Sequence, residues 1–123
     1  MAFLDNRVFD NGLSVLDTEA NRLDICTQEP TTFAAATTTY SKGNKTSLAI
    51  GSPGDRTGGG RKVTVPAITD GVVSGTGTVT HWAIVDTVNS RLLATGSLNA
   101  SQAVTSGNTF TLSSFDIGIP DPA

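Results

Sequence analysis

VTVPAITDGVVSGTGTVTHWAIVDTVNSRLLATGSLNASQAVTSGNTFTLSSFDIGI, residues 63–119, is the stretch that decides the fold. It reads as short runs of alternating apolar and polar residues, separated by Gly, Asn and Ser turns. Val63 and Val65 alternate with Lys62 and Thr64. Residues 78–86 are apolar on both faces at their centre, with Val79, His81, Ala83 and Val85 on one face and Trp82 and Ile84 on the other. That marks a central strand covered on both sides. Residues 87–90 form a turn and 91–95 return as the hairpin partner. Residues 100–105 lead to the tight turn Ser106, Gly107 and Asn108, after which Phe110 and Leu112 point inward. Phe115, Ile117 and Ile119 alternate with Asp116 and Gly118, and Pro120 ends the last strand. Asp70-Gly71 reads as a turn. Turns spaced about every eight to twelve residues predict a mainly β, antiparallel sandwich or jelly-roll-like barrel of seven or eight strands.

Upstream, the pattern changes period. Phe9, Leu13, Leu16 and Ala20 fall on one helical face, with Asp5 as N-cap, which predicts an N-terminal α-helix over 5–21. Gly12 inside it costs roughly 1 kcal/mol relative to Ala, so the helix must pack on the β core or on a neighbouring subunit. Residues 22–28 read as a strand, with Leu23 and Ile25 opposite Asp24 and Cys26. Pro30 opens a helical or turn segment over 31–37. Residues 37–45 are polar and read as loop, and 47–50 as a short apolar strand. Residues 51–60, GSPGDRTGGG, read as a mobile Gly-rich loop. It lacks the Gly-Lys-Ser/Thr ending of a phosphate-binding loop, and a strand follows it. The expected organisation is one β-rich domain over 1–123, with an arm or helix at 1–21 and a β core at 22–123.

Composition narrows function. Of 123 residues, 19 are Thr, 11 Ser and 13 Gly, while only 15% are charged. A net charge of −3 argues against nucleic acid as a partner. No apolar run is long enough to span a membrane, and the N-terminus has no signal-peptide pattern, so the expectation is a chain made in a cytoplasm.

One histidine and one cysteine leave a zinc site short of ligands. His81 and Asp86 stand five apart on one strand, facing opposite ways and about 16 Å apart, too far for a catalytic pair. Cys26 lies near Asp24 and Glu29, which favours a buried thiol over a nucleophile. Trp82 reads as core, and Tyr40 sits in a polar segment. The expectation is a non-enzymatic protein without cofactor or metal, acting by contact. The residues expected to meet a partner are Phe9, Leu13, Tyr40, Arg56 and Arg61.

Four segments carry a resemblance. RLDICTQEPTTFAAATTTY (22–40), RKVTVPAITDGVVSGTGTVTHWAIVDTVNSRLLATGSL (61–98) and AVTSGNTFTLSSFDIGIP (103–120), with FDNGLSVLDTEAN (9–21), resemble small tailed-bacteriophage virion proteins. Proteins of this kind are capsid decoration (cement), head-fibre or tail-fibre-like parts. The resemblance implies a structural virion protein whose partners are the major capsid protein and copies of itself, located on the capsid surface. It supplies no catalytic residues. The alternative it leaves open is a tail or fibre module that binds a host glycan.

Overall fold

Ten strands order this chain in a computed structural model that describes residues 3–4 and 12–119. In chain order they are β1 (Phe3–Leu4), β2 (Arg22–Cys26), β3 (Ser41–Thr46), β4 (Gly54–Asp55), β5 (Arg61–Val65), β6 (Ile68–Val73), β7 (Gly77–Asp86), β8 (Arg91–Val104), β9 (Thr109–Leu112) and β10 (Phe115–Ile119). A five-residue helix, α1 (Ser14–Thr18), precedes β2, and a π-helical turn (Ala35–Thr39) follows it. Seven strands form one antiparallel sheet in the order β1-β8-β7-β2-β3-β6-β9, and three form a second in the order β10-β5-β4. The fold is a mainly β, antiparallel sandwich.

The larger core lies between the two sheets. Leu23 and Ile25 of β2, Ile84 of β7 and Leu93 of β8 meet Val63 of β5 and Ile117 of β10 there. Leu13, Val15 and Leu16 close one side, so the helical stripe packs on the β core. A smaller cluster occupies the opposite face of the large sheet. Cys26, Ala83, Val85 and Leu92 are covered by Ala36, Phe33 and Tyr40 from the segment around the π turn. Strand β7 is therefore central, paired to β8 and β2 and buried on both faces, as its residues predict.

The two sheets are joined through a corner. Val65 pairs with Phe115 on the small sheet, and Ile68 pairs with Leu112 on the large one. The register is the same on both sides of Pro66-Ala67 and Ser113-Ser114. One antiparallel ladder thus bends from one layer into the other, the route by which strands switch sheets. Proline, which cannot donate to a ladder, stands at the bend.

Several elements differ from expectation. Gly12 adopts φ +82°, outside the right-handed region, and the described helix is Ser14–Thr18 alone. The rest of the expected helix, residues 5–11 with Phe9, lies outside the described residues. Of residues 37–45, expected as loop, those from Ser41 onward form β3, which runs to Thr46 between β2 and β6. This strand is polar, but its Gly43 allows the Val72 carbonyl to approach where a side chain would stand. Residues 47–50, expected as a strand, are irregular: Ser47 takes φ +53°, and Leu48 and Ile50 are buried without strand pairing. Asp70-Gly71, expected as a turn, lies inside β6 at a register shift. The Gly-rich segment folds back as a small hairpin, β4 on β5.

Strand β8 carries two irregularities against β7. The pairing passes from Val79↔Gln102 to His81↔Ser97, leaving residues 98–101 opposite Thr80 alone. It shifts again between Ile84↔Ala94 and Val85↔Leu92, leaving Leu93 extra. Such bulges break the simple alternation of faces. Along β7 itself, Val79 joins Ile84 in the larger core and not Ala83 and Val85, the face that strict alternation would give it.

Candidate functional site: a groove beside Trp82

Trp82 of β7 and Gly96 of β8 are cross-strand partners, and the indole lies over the glycine. The Phe115 ring stands 4.6 Å from that of Trp82, tilted by 35°. Phe115 is brought there by the corner, which swings β10 across the face of the large sheet. The 98–101 bulge pushes β8 outward on the other side. Between them opens a groove of about 520 Å³. Its apolar wall is Trp82, Leu98, Leu112 and Phe115, and its polar rim includes Ser97, Gln102, Thr111, Ser113, Ser114 and Asp116. The Gln102 amide donates to the Thr111 carbonyl at 3.3 Å, tying β8 to β9 across the groove. Asp116 is the one charged residue of the lining; it accepts from Lys62 Nζ at 3.0 Å and Thr64 Oγ1 at 2.7 Å, and these bonds hold its carboxyl below the usual range. Trp82, expected as core, is half-buried: it packs on the core and also walls the groove.

A second polar centre sits on the opposite face of the large sheet. Asp24 is fully buried on β2. Its carboxylate accepts from Arg22 Nε at 2.7 Å and Nη2 at 2.8 Å, and from Ser41 Oγ at 2.7 Å. Burial pushes its carboxyl up, against the pull of Arg22 and Ser41. Cys26, two residues on, is buried with its thiol 3.5 Å from the Ala36 carbonyl. Burial first, and the Asp24 charge second, push that thiol up to about 12. A thiol held protonated is a poor nucleophile and metal ligand.

His81 lies opposite Cys26 in the ladder, and its Nδ1 is 2.8 Å from Thr80 Oγ1. Asp86 closes the β7–β8 turn. It accepts from the Val88 N–H at 2.9 Å and from Asn89 Nδ2 at 2.8 Å. His81 and Asp86 are thus engaged with different partners, as their spacing predicts. Among the described residues, no three His, Cys, Asp or Glu side chains gather in a way that could hold a metal.

Of the expected contact residues, Leu13 and Arg61 line one shallow cavity, and Tyr40 and Arg56 lie elsewhere. Leu13 is 4% exposed and packs in the larger core, at the floor of that cavity beside Pro53 and Arg61. Tyr40 packs on the Cys26 cluster. Arg56 donates to the Gly59 carbonyl at 2.9 Å and lays its alkyl chain on Gly118. Arg61 pairs with Asp55 at 2.6 Å and donates to the Pro53 carbonyl at 3.1 Å. Both arginines thus brace the small sheet, while Tyr40 lies across the large sheet from it. Phe9 is outside the described residues. The groove itself was missed because its walls come from three segments joined by a bulge and a corner.

Comparison with protein-family models, with curated proteins and with solved structures found no match to this chain.

Proposed function

We propose that this chain is a structural virion protein of a tailed phage, a capsid decoration (cement) protein that binds the outer shell and stabilises it. The supporting observation is how the charge is spent. Of the seven described Lys and Arg residues, five are in ion pairs with carboxylates of the same chain: Arg22, Lys45, Arg61, Lys62 and Arg91. What remains for contact is dominated by Thr, Ser and Gly backbone and hydroxyls. Such a surface packs against crowded copies with little like-charge repulsion, and symmetry multiplies each modest contact. The sequence resemblance, which runs over most of the chain, points the same way. The partners are the major capsid protein and further copies of this chain.

A tail or fibre-type module is the second reading. The groove beside Trp82 favours it, because an aromatic wall with a hydroxyl rim suits a receptor-binding part. Counting copies in purified virions by quantitative mass spectrometry separates the two. Hundreds per particle support the shell, while about six to a dozen support the tail, as expected for symmetric rings. Absence from mature particles sinks both. Under the shell reading, particles stripped of the protein also lose resistance to heat.

A further inference from the structure

We propose that the groove beside Trp82 binds a neutral saccharide. The inference stands on the groove alone and holds whether the domain sits on a head or a tail.

The chemistry of the lining selects the ligand. Trp82, Phe115, Leu98 and Leu112 offer an apolar surface suited to the C–H face of a sugar ring. Around it stand the hydroxyls of Ser97, Ser113 and Ser114 and the carboxamide of Gln102, groups that both donate and accept. The Gln102 amino group is already given to Thr111, which fixes the side chain and leaves its carbonyl oxygen as an acceptor. Asp116, the single charge, is neutralised by Lys62. A charged ligand would therefore find no counter-charge. A ligand with hydroxyls on its edges and an apolar face matches every component.

An extended peptide is the competing occupant, and the backbone argues against it. Strand addition needs a regular edge with hydrogen-bonding groups at a two-residue repeat. Along the groove, β8 is bulged over residues 98–101, which breaks that repeat. A sugar needs no such ladder.

Trp82 is the sole tryptophan of the chain and stands in the wall, so its fluorescence reports occupancy directly. The whole protein is titrated with maltohexaose, cellohexaose and chitohexaose, and with a neutral Ser/Thr-rich hexapeptide, following Trp82 emission and backbone amide shifts. The expected result is a saturable change with at least one sugar, and none with the peptide. Gln102→Ala and Ser114→Ala each weaken that binding about tenfold, the loss expected for one hydrogen bond; Ser114→Ala leaves the unfolding midpoint unchanged, while Gln102→Ala also lowers it slightly by removing the bond to the Thr111 carbonyl. No saturable response to any of the three sugars overturns the proposal. So does binding of the peptide alone, or sugar binding that both substitutions leave intact.

Discussion

The Trp82 indole occupies the space that a side chain at Gly96 would need: a Cβ there would lie 2.5 Å from Cζ2 and 2.9 Å from Nε1. The two residues are direct cross-strand partners, so the glycine is the seat on which the aromatic wall of the groove rests. Gly96→Ala must displace the ring, and overpacking of this kind costs about 1–3 kcal/mol. The substitution is expected to lower the urea midpoint and to shift Trp82 emission in the folded protein. An unchanged midpoint and spectrum would show that the ring is not seated there.

Asp24 and Asp86 titrate in opposite senses. Burial pushes Asp86 up, but the Asn89 side chain, the Val88 and Asn89 N–H groups and Arg91 together hold it below its ordinary 3.8. A depressed carboxylate contributes stability that is present above the ordinary value and lost as pH falls through the folded one. Asp86→Asn is therefore expected to flatten the acid side of the stability profile. Asp24 is raised, so its contribution is full below 3.8 and is lost as pH rises through its folded value. Asp24→Asn is expected to remove that step, of the opposite sign. Urea midpoints measured from neutrality down to about pH 3, where carboxylates titrate, check both. An acid limb unaltered in Asp86→Asn contradicts the assignment.

Removing the Asp24 side chain is a harsher change. Asp24→Ala strands the Arg22 guanidinium, 24% exposed, and the Ser41 hydroxyl beneath it. Breaking a buried pair from one side costs about 3–5 kcal/mol, and the exposure of Arg22 places this case at the lower end. Chemical denaturation of Asp24→Ala beside Asp24→Asn reads the difference, with the asparagine variant retaining more of the wild-type stability.

Cys26 serves as a clock for opening. With its thiol pushed up to about 12 and its side chain fully buried, the thiolate fraction near pH 8 is on the order of one in ten thousand. Native protein is expected to resist iodoacetamide, and urea-unfolded protein to react fully. Rapid labelling of the native state would refute the burial.

The bend at Pro66-Ala67 and Ser113-Ser114 tolerates no change of length, because Val65↔Phe115 and Ile68↔Leu112 share one register. One glycine inserted between Ser113 and Ser114 is expected to lower the unfolding midpoint sharply, since a one-residue slip exchanges the two faces of a strand. The same insertion between Gly58 and Gly59, at positive φ in an exposed hairpin tip, is expected to be nearly neutral. Equal effects at the two places would argue against a shared ladder.

Strand β7 was legible because Ala83, Ile84 and Val85 form a run too apolar for anything but a strand buried on both faces. The turn after Asp86 and the turn before Thr109 were legible from Asn, Ser and Gly. Strand β3 was not, because Ser41, Lys42, Asn44 and Lys45 look like loop; their place between β2 and β6 comes from pairing, which overrides propensity. Leu48 and Ile50 misled in the other direction, since burial of apolar side chains does not require a ladder. The groove was the least legible part. Trp82 reads as core by its neighbours, and only the bulge at residues 98–101 and the swing of Phe115 leave one side of it open. Sequence periodicity carries no mark of a three-residue excess in one strand.

The bent ladder of residues 61–73 and 109–119 has a mechanical consequence. Two sheets that merely stack can shear past each other by repacking side chains. Here the layers are joined by two short covalent links, and sliding one over the other must strain the ladder pairs on either side of the bend, Val65↔Phe115 and Ile68↔Leu112. Force taken up by either layer is handed to the other through the main chain, as a hem carries tension between two panels of cloth.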